Sequence, residues 1–477
     1  MGTWFDTDRL QRDVEVRWER DLLPVLEAYT RIPCLSPAFD PSWEASGHLR
    51  EAAELLASWW GGRPLQDLSV EVHARTGRSP LLLAEAPSTG GAGGAVLVYG
   101  HLDKQPPQGA WREGLGPFDP VRRGDRLYGR GTADDGYAAL AAAGALEALD
   151  AQKVARPRVV VLIEASEESG SPDLDAHLDA LAERIGRPDL VVCLDSGALT
   201  YDRLWRTSSL RGNVVASIRV DVLTEGVHSG LAGGVVPSSF WVLRQLLSRI
   251  EDERTGEVLL PAARAEVPPA ERAALRAIAG ELPGALSDDV PTVPGLRLFG
   301  DGPADQLVRR AWSPALALTG IDGVPAVADG GNVLRPYTTA KISLRLPPTA
   351  DAAVAAAELV EVLGSDPPQG AQVQVTLEAP ADGWLAPEPA PWVRAALDEA
   401  SVASFGRPHA SYGEGGTIPF LATLGRRFPG IQLVATGVLG PGSNAHGPNE
   451  FLHLPMAGAV TCALAHLVAA AGRHIGG

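Results

Sequence analysis

Short apolar runs that break off at a histidine or an acid recur along this chain, and that junction limits what it can fold into. Leu97-Val98-Tyr99-Gly100 is followed by His101 and Asp103, and Val160-Val161-Leu162-Ile163 leads into Glu164 and then Glu167-Glu168. Val191-Val192-Cys193-Leu194 stops at Asp195, and the run 431–436 leads into a glycine-rich loop carrying His446. Runs of this length, bounded by turn residues, predict buried strands. Helical spacing over 46–60 and the Ala/Leu-rich stretch 136–149 predict helices around the strands. Strands separated by helices imply a mainly parallel sheet with helices on both faces. Such sheets bind ligands beyond the carboxyl ends of their strands, so imidazoles and carboxylates converge on one edge.

Taken singly these residues carry little. A histidine after a strand is usually a hydrogen-bonded surface or core residue, paired glutamates are usually solvated, and an acid ending a strand is commonly a helix cap. Four junctions in succession are harder to dismiss. The set His, Asp, Glu, Asp, His suits two divalent cations sharing a bridging carboxylate. The bridging acid comes from Tyr128-Gly129-Arg130-Gly131-Thr132-Ala133-Asp134-Asp135-Gly136. This stretch starts like a dinucleotide fingerprint, but Asp134 stands where the third glycine belongs and would repel a pyrophosphate. Its glycines instead allow a tight turn that aims Asp134 between two metals.

At 477 residues the chain needs two domains, or one with an insertion. A formal charge of −17 argues against nucleic acid as a partner. Residues 1–20 mix Trp4 with Asp6, Asp8, Arg9, Asp13 and Glu15 and hold no apolar signal core. The soft stretch 457–471, interrupted by His466, is too short for a membrane span and predicts a terminal helix packed on the core. Cys34, Cys193 and Cys462 are too scattered for a zinc motif or a disulfide framework, and a cytoplasmic location is expected. After Thr207-Ser208-Ser209-Leu210-Arg211-Gly212 the texture changes: 214–222 and 340–346 alternate like antiparallel strands, with a Pro/Gly-rich loop at 291–303 between them. From about residue 383 the α/β pattern returns, with a helix at 391–404. The expected division is a catalytic domain from 1–211 and 382–477, with an inserted α+β unit at 212–381.

In these segments the chain resembles the M20 metallopeptidase family, and most closely its cytosolic nonspecific dipeptidase and carnosinase branch. The matching stretches are Gly100-His101-Leu102-Asp103, Gly129-Arg130-Gly131 with Ala133-Asp134-Asp135, and Glu164 with Ser166-Glu167-Glu168-Ser169-Gly170-Ser171. They continue through Cys193-Leu194-Asp195-Ser196-Gly197, Val227-His228-Ser229-Gly230, Glu414-Gly415-Gly416-Thr417-Ile418-Pro419 and Ala445-His446. All occur in family order over nearly the whole chain.

The resemblance implies an α/β catalytic domain of the zinc-exopeptidase type with an inserted α+β lid that also mediates homodimerisation. It implies two divalent metal ions per subunit, Zn²⁺ first, with Mn²⁺ or Co²⁺ as alternatives. His101 and Asp195 would hold one metal, Glu168 and His446 the other, and Asp134 would bridge. Asp103 would hold the second nitrogen of His101, and Glu167 would be the general base for a metal-bridging water. His228 resembles the lid histidine that reaches a neighbouring subunit's site and stabilises an oxyanion; a plain lid-surface histidine is the competing reading. Asn332 and Arg345 resemble lid residues that contact substrate. Arg345 suits a carboxylate, although an ordinary strand arginine would look the same. Gly415, Gly416 and Thr417 would form the substrate-facing loop, where Glu414 either orients a ligand or ties the loop down.

Two departures stand out. The family often has Lys after the paired acids, whereas here Asp135 is followed by Gly136-Tyr137, and the loop Gly442-Ser443-Asn444-Ala445-His446-Gly447-Pro448-Asn449-Glu450 carries extra Gly and Pro. The expected activity is cleavage of an amide bond in a dipeptide or small peptide. A deacylase of N-acyl amino acids, including a biosynthetic tailoring step, is the rival; a non-catalytic homologue would usually have lost part of this residue set.

Overall fold

The computed structural model describes residues 5–287 and 290–476; residues 1–4, where the stretch without a signal core begins, lie outside it. Six strands form the main sheet, in the order Ser69–His73, Leu81–Ala86, Arg158–Glu164, Ala95–His101, Leu190–Cys193, Gln432–Ala435. The last four run parallel, and the first two are an antiparallel edge. Period-two alternation explains the two cores. Val96, Val98, Val159, Val161 and Val192 point into one, whereas Leu97, Tyr99, Val160, Leu162, Val191 and Cys193 point into the other.

The larger core is filled by Tyr137–Ala151, buried almost all round, and by Leu454–Gly476. That last helix is longer than its soft stretch suggests. Over Leu454–His474 it is long and apolar enough to cross a membrane by composition, but 78% of that window is buried inside the protein, as a core helix requires. Trp18 Nε1 donates to Thr461 Oγ1 at 3.0 Å, joining the first helices to the last.

A second unit is a four-stranded antiparallel sheet, ordered Ala315–Asp322, Tyr337–Leu346, Gly212–Asp221, Gln372–Leu377. Gly212–Asp221 alternates buried and half-buried along its whole length. Its buried residues, with Ala340, Ile342 and Leu344, pack against Leu243 and Leu246 of Ser239–Leu247 and Leu359 of Ala352–Gly364. The chain between these strands does not stay with that sheet. Leu275 and Ile278 of Pro269–Glu281, and Leu307, Ala311 and Trp312 of Pro303–Trp312, are buried in the large core of the α/β unit. There the helices lean on a small sheet of Trp205–Leu210 parallel to Ala410–Glu414.

Candidate metal centre

The carboxyl ends of three adjacent parallel strands deliver His101, Glu164 with the following Glu167-Glu168, and Asp195 to one edge. His101 Nε2 lies 3.2 Å from Asp134 Oδ1 and 3.7 Å from Asp195 Oδ2. His446 Nε2 lies 3.0 Å from Asp134 Oδ2 and 3.3 Å from Glu168 Oε2. Two clusters of ligating atoms result, His101/Asp134/Asp195 and Asp134/Glu168/His446, each within 4.8 Å. One oxygen of Asp134 serves each cluster.

The loop holding Asp134 is tightly specified. Gly131 has φ +79°, and a Cβ there would lie 2.6 Å from Lys104 Cε, so only glycine fits. Gly136 accounts for the departure from the family pattern after the paired acids: a Cβ would lie 2.2 Å from Tyr29 Cε1 and 2.5 Å from Gly131 O. A lysine has no room against this tyrosine.

Glu450 and Arg130 secure the same loop, and neither stood out as a site residue in the sequence. Glu450 Oε1 accepts backbone N–H groups from Gly131 (3.0 Å), Ala133 (3.2 Å) and Asp134 (3.3 Å), while Oε2 accepts Arg130 Nη1 at 2.6 Å. Arg130 Nη2 also donates to Gly447 O at 2.8 Å, which ties the Asp134 loop to the residue after His446. Both side chains are buried. Arg130 lies inside the Gly129-Arg130-Gly131 motif, but nothing in sequence relates it to an acid 320 residues away.

The other site residues fall into three groups. Asp103 lies behind His101, whose Nδ1 is 3.1 Å from the Asp103 carbonyl and 3.5 Å from its carboxylate. That carboxylate mainly accepts the N–H groups of Glu167 (3.1 Å) and Glu168 (3.0 Å), so it positions the paired glutamates as well as the imidazole. Gln105 Nε2 donates to Glu168 Oε2 at 2.7 Å. No described hydrogen bond engages the Glu167 carboxylate.

Glu414 ties down a neighbouring loop: its Oε1 accepts Ser196 Oγ (2.7 Å), Gly197 N (3.0 Å) and Thr207 Oγ1 just beyond Asp195. Arg345 Nη1 donates to Thr417 Oγ1 at 3.0 Å, and Arg211 holds the same turn through Gly415 O and Gly416 O. His228 and Asn332 lie apart from this group, on the paired strands Val227–His228 and Val333–Leu334 and the residue before the latter. His228 is exposed, and its Nδ1 accepts Gly230 N at 3.0 Å.

The electrostatics suit bound cations. Burial, reinforced by Asp134, pushes the Glu168 carboxyl up to about 8. Burial and Asp134 likewise raise Asp195 to about 7, against the pull of His101. Burial, with Asp195 and Glu168 adding to it, holds Glu167 well above the usual carboxylate range. Burial alone would lower His446, but Glu168 and Asp134 facing it raise it to about 9. Crowded buried carboxylates of this kind are costly unless paired or bound to metal. Two imidazoles and three carboxylates in two clusters with a shared member fit two divalent ions.

The sequence of residues 97–470 matches the model of peptidase family M20/M25/M40. The chain belongs to this family. It is 28% identical over 404 residues to a cysteinylglycine-S-conjugate dipeptidase of Corynebacterium striatum, covering 83% of this chain and 85% of the relative. It is 27% identical over 275 residues to the human β-Ala-His dipeptidase, covering 56% and 53%. The fold resembles human carnosine dipeptidase 1 (TM-score 0.81, 21% identity, covering 98% and 99%). It resembles the di-peptidase Dug1p of Saccharomyces cerevisiae equally well (TM-score 0.81, 21% identity, 98% and 99%). The expected α/β fold with a mainly parallel sheet agrees with these neighbours.

Proposed function

We propose that this family member is a metal-dependent dipeptidase whose centre is His101, Asp134, Asp195, Glu168 and His446, with Asp134 bridging two divalent ions. The observation that carries the reading is the sharing of Asp134 between two ligand clusters, with the carboxylate of Glu167 beside them and engaged by no described hydrogen bond. His101, Asp134, Asp195, Glu168 and His446 would hold the ions, which would supply Lewis-acid activation of the scissile carbonyl and of the attacking water. Glu167 takes a proton from that attacking water and passes it to the leaving amine nitrogen. Asp103 keeps Glu167 and Glu168 in place through their backbone N–H groups. Arg345, steadied by Thr417, takes the substrate's carboxylate, and the turn 415–417 lies against the substrate.

Zn²⁺ suits the donor set, and Mn²⁺ and Co²⁺ share it. The dipeptidase activities named for the relatives favour a peptide over an N-acyl amino acid. We assign the four-stranded unit as a lid and homodimer surface, the division falling at 212–381 apart from the two helices packed on the α/β core. Leu318 and Ile321 on its edge strand are exposed, as is Val327, and His228, away from its own centre, acts on the neighbouring subunit's substrate. Three free, buried cysteines suit a reducing cytoplasm. The test is Glu167→Gln in metal-loaded protein with a panel of dipeptides and N-acyl amino acids. The expected result is loss of hydrolysis with both metals retained; hydrolysis at the native rate would overturn the mechanism. Sedimentation as a monomer would remove the dimer.

A further inference from the structure

A cavity of about 250 Å³ opens beside the metal centre, behind the Asp195-Ser196-Gly197 turn. Pockets for drug-sized ligands run to roughly 300–1,000 Å³, so this one is scaled for a single residue. Gly197, Leu199 and Leu439 form apolar wall, Tyr412 lies alongside, and two charged side chains enter: Glu414 and Arg310. Their situations differ. Glu414 Oε1 is held by three donors. Arg310 has no carboxylate within ion-pair distance among the described residues, and its Nε is buried without a hydrogen-bond partner. Its guanidinium lies 5.5 Å from the Tyr412 ring.

The surroundings sharpen the contrast. Arg310 is one of three arginines around the turn 415–417; a Cβ on Gly415 would lie 3.0 Å from Arg211 Nη2 and 3.5 Å from Arg310 Cγ. Arg211 is spent on the carbonyls of Gly415 and Ser313, and Arg345, held by Thr417, is the arginine already given the carboxylate at the substrate's carboxyl end. Burial, with Arg345 and Arg310 beside it, lowers Arg211 to about 10, which marks a local excess of positive charge. That leaves Arg310 as the arginine of this group with neither an acid among the described residues nor a role in holding the turn, and it suits a second anion.

We propose that this cavity is a specificity pocket for an amino-terminal acidic residue, with the substrate's free amine toward Glu414 and its side-chain carboxylate on Arg310. The inference rests on the dipeptidase reading and names its substrate class. A half-buried carboxylate and guanidinium in one small cavity match a ligand carrying both charges, and the leucines of its wall suit a methylene stem. The Tyr412 hydroxyl accepts from this guanidinium, and its remaining donors can take the acid.

The experiment compares Glu-Ala with its uncharged isostere Gln-Ala on the Zn²⁺- or Mn²⁺-loaded native protein and on Arg310→Met. Native protein is expected to favour Glu-Ala in kcat/KM by about tenfold or more, as a charge-assisted hydrogen bond implies. In Arg310→Met that ratio collapses toward one. Equal kcat/KM for the two dipeptides in the native protein, or a ratio untouched by Arg310→Met, overturns the pocket while leaving the dipeptidase reading standing. Hydrolysis of neither dipeptide, with turnover of an N-acyl amino acid, overturns the dipeptidase reading and the pocket with it. Should Arg310→Met not fold, Arg310→Gln, which loses the charge and keeps a polar side chain, is expected to bring the ratio toward one, and a ratio it leaves unchanged overturns the pocket.

Discussion

Replacing Glu450 by Gln removes one charge and no volume, yet it should cost the protein both stability and metal affinity. The native carboxylate gathers three backbone N–H groups on one oxygen and Arg130 on the other. An amide can serve only one of those sets. If its oxygen keeps the N–H groups, its NH₂ faces a guanidinium that is also a donor, and Arg130 is left buried without a counter-charge. Breaking one side of a buried pair costs about 3–5 kcal/mol. For an α/β unit of roughly 300 residues that is a fall in melting temperature of roughly 5–8 °C. The loop that loosens carries Asp134, and Arg130 also holds Gly447 next to His446, so both metal clusters feel the change. Loss of such support behind a ligand typically weakens metal binding 10–100-fold. The assay is calorimetric melting of the metal-free protein, paired with competition for Zn²⁺ against a chromogenic chelator. Arg130→Met leaves Glu450 its three N–H groups, and should weaken metal binding less than Glu450→Gln. If Glu450→Gln melts like the native protein and binds Zn²⁺ as tightly, the support assigned to this pair is wrong.

Metal binding should expel protons at pH 7, because His446 sits at about 9 without metal and His101 is held well above its ordinary value by Asp195, Asp103 and Asp134 despite burial. Calorimetric titration in buffers of different ionisation heat measures this, and heats that ignore the buffer would refute it. Gly136→Ala should cost about 1–3 kcal/mol through its clash with Tyr29; an unchanged melting temperature would contradict the packing. Burial, with Arg473 nearby, lowers His466 from 6.5 to about 4. A depressed base binds its proton more weakly folded than unfolded, so its contribution is present above pH 6.5 and is lost as pH falls toward 4, by about 3 kcal/mol. The native protein should lose stability relative to His466→Leu as the pH drops across that window; a difference that does not change with pH would exclude the effect.

Much of the α/β frame was readable because buried parallel strands are short apolar runs. The run at 95–99 became Ala95–His101 and that at 190–194 became Leu190–Cys193. Residues placed directly after those runs were readable for the same reason. The antiparallel edge was not: Ser69–His73 is half exposed and lacks an apolar run, and although Leu81–Ala86 is a buried apolar run, nothing in it marks an antiparallel pairing. Nor could sequence place Pro269–Glu281 and Pro303–Trp312. An amphipathic helix announces an apolar face without saying which core receives it. Glu450 was invisible because its partners are set by tertiary folding alone. Asp103 was named for His101, but its carboxylate's backbone contacts to Glu167 and Glu168 became apparent only with the turn in three dimensions.

The joining of the first helices to the last has a bearing on biosynthesis. The sheet takes its final parallel strand from Gln432–Ala435, its second histidine from residue 446, and the filling of its larger core from Leu454–Gly476. An emerging chain therefore exposes the apolar surface of Tyr137–Ala151 until some three hundred further residues have left the ribosome. The inserted unit, whose strands are neighbours within 212–377, can complete its own sheet meanwhile. Nascent chains halted before residue 432 should thus engage holding chaperones through the α/β half and fail to retain metal.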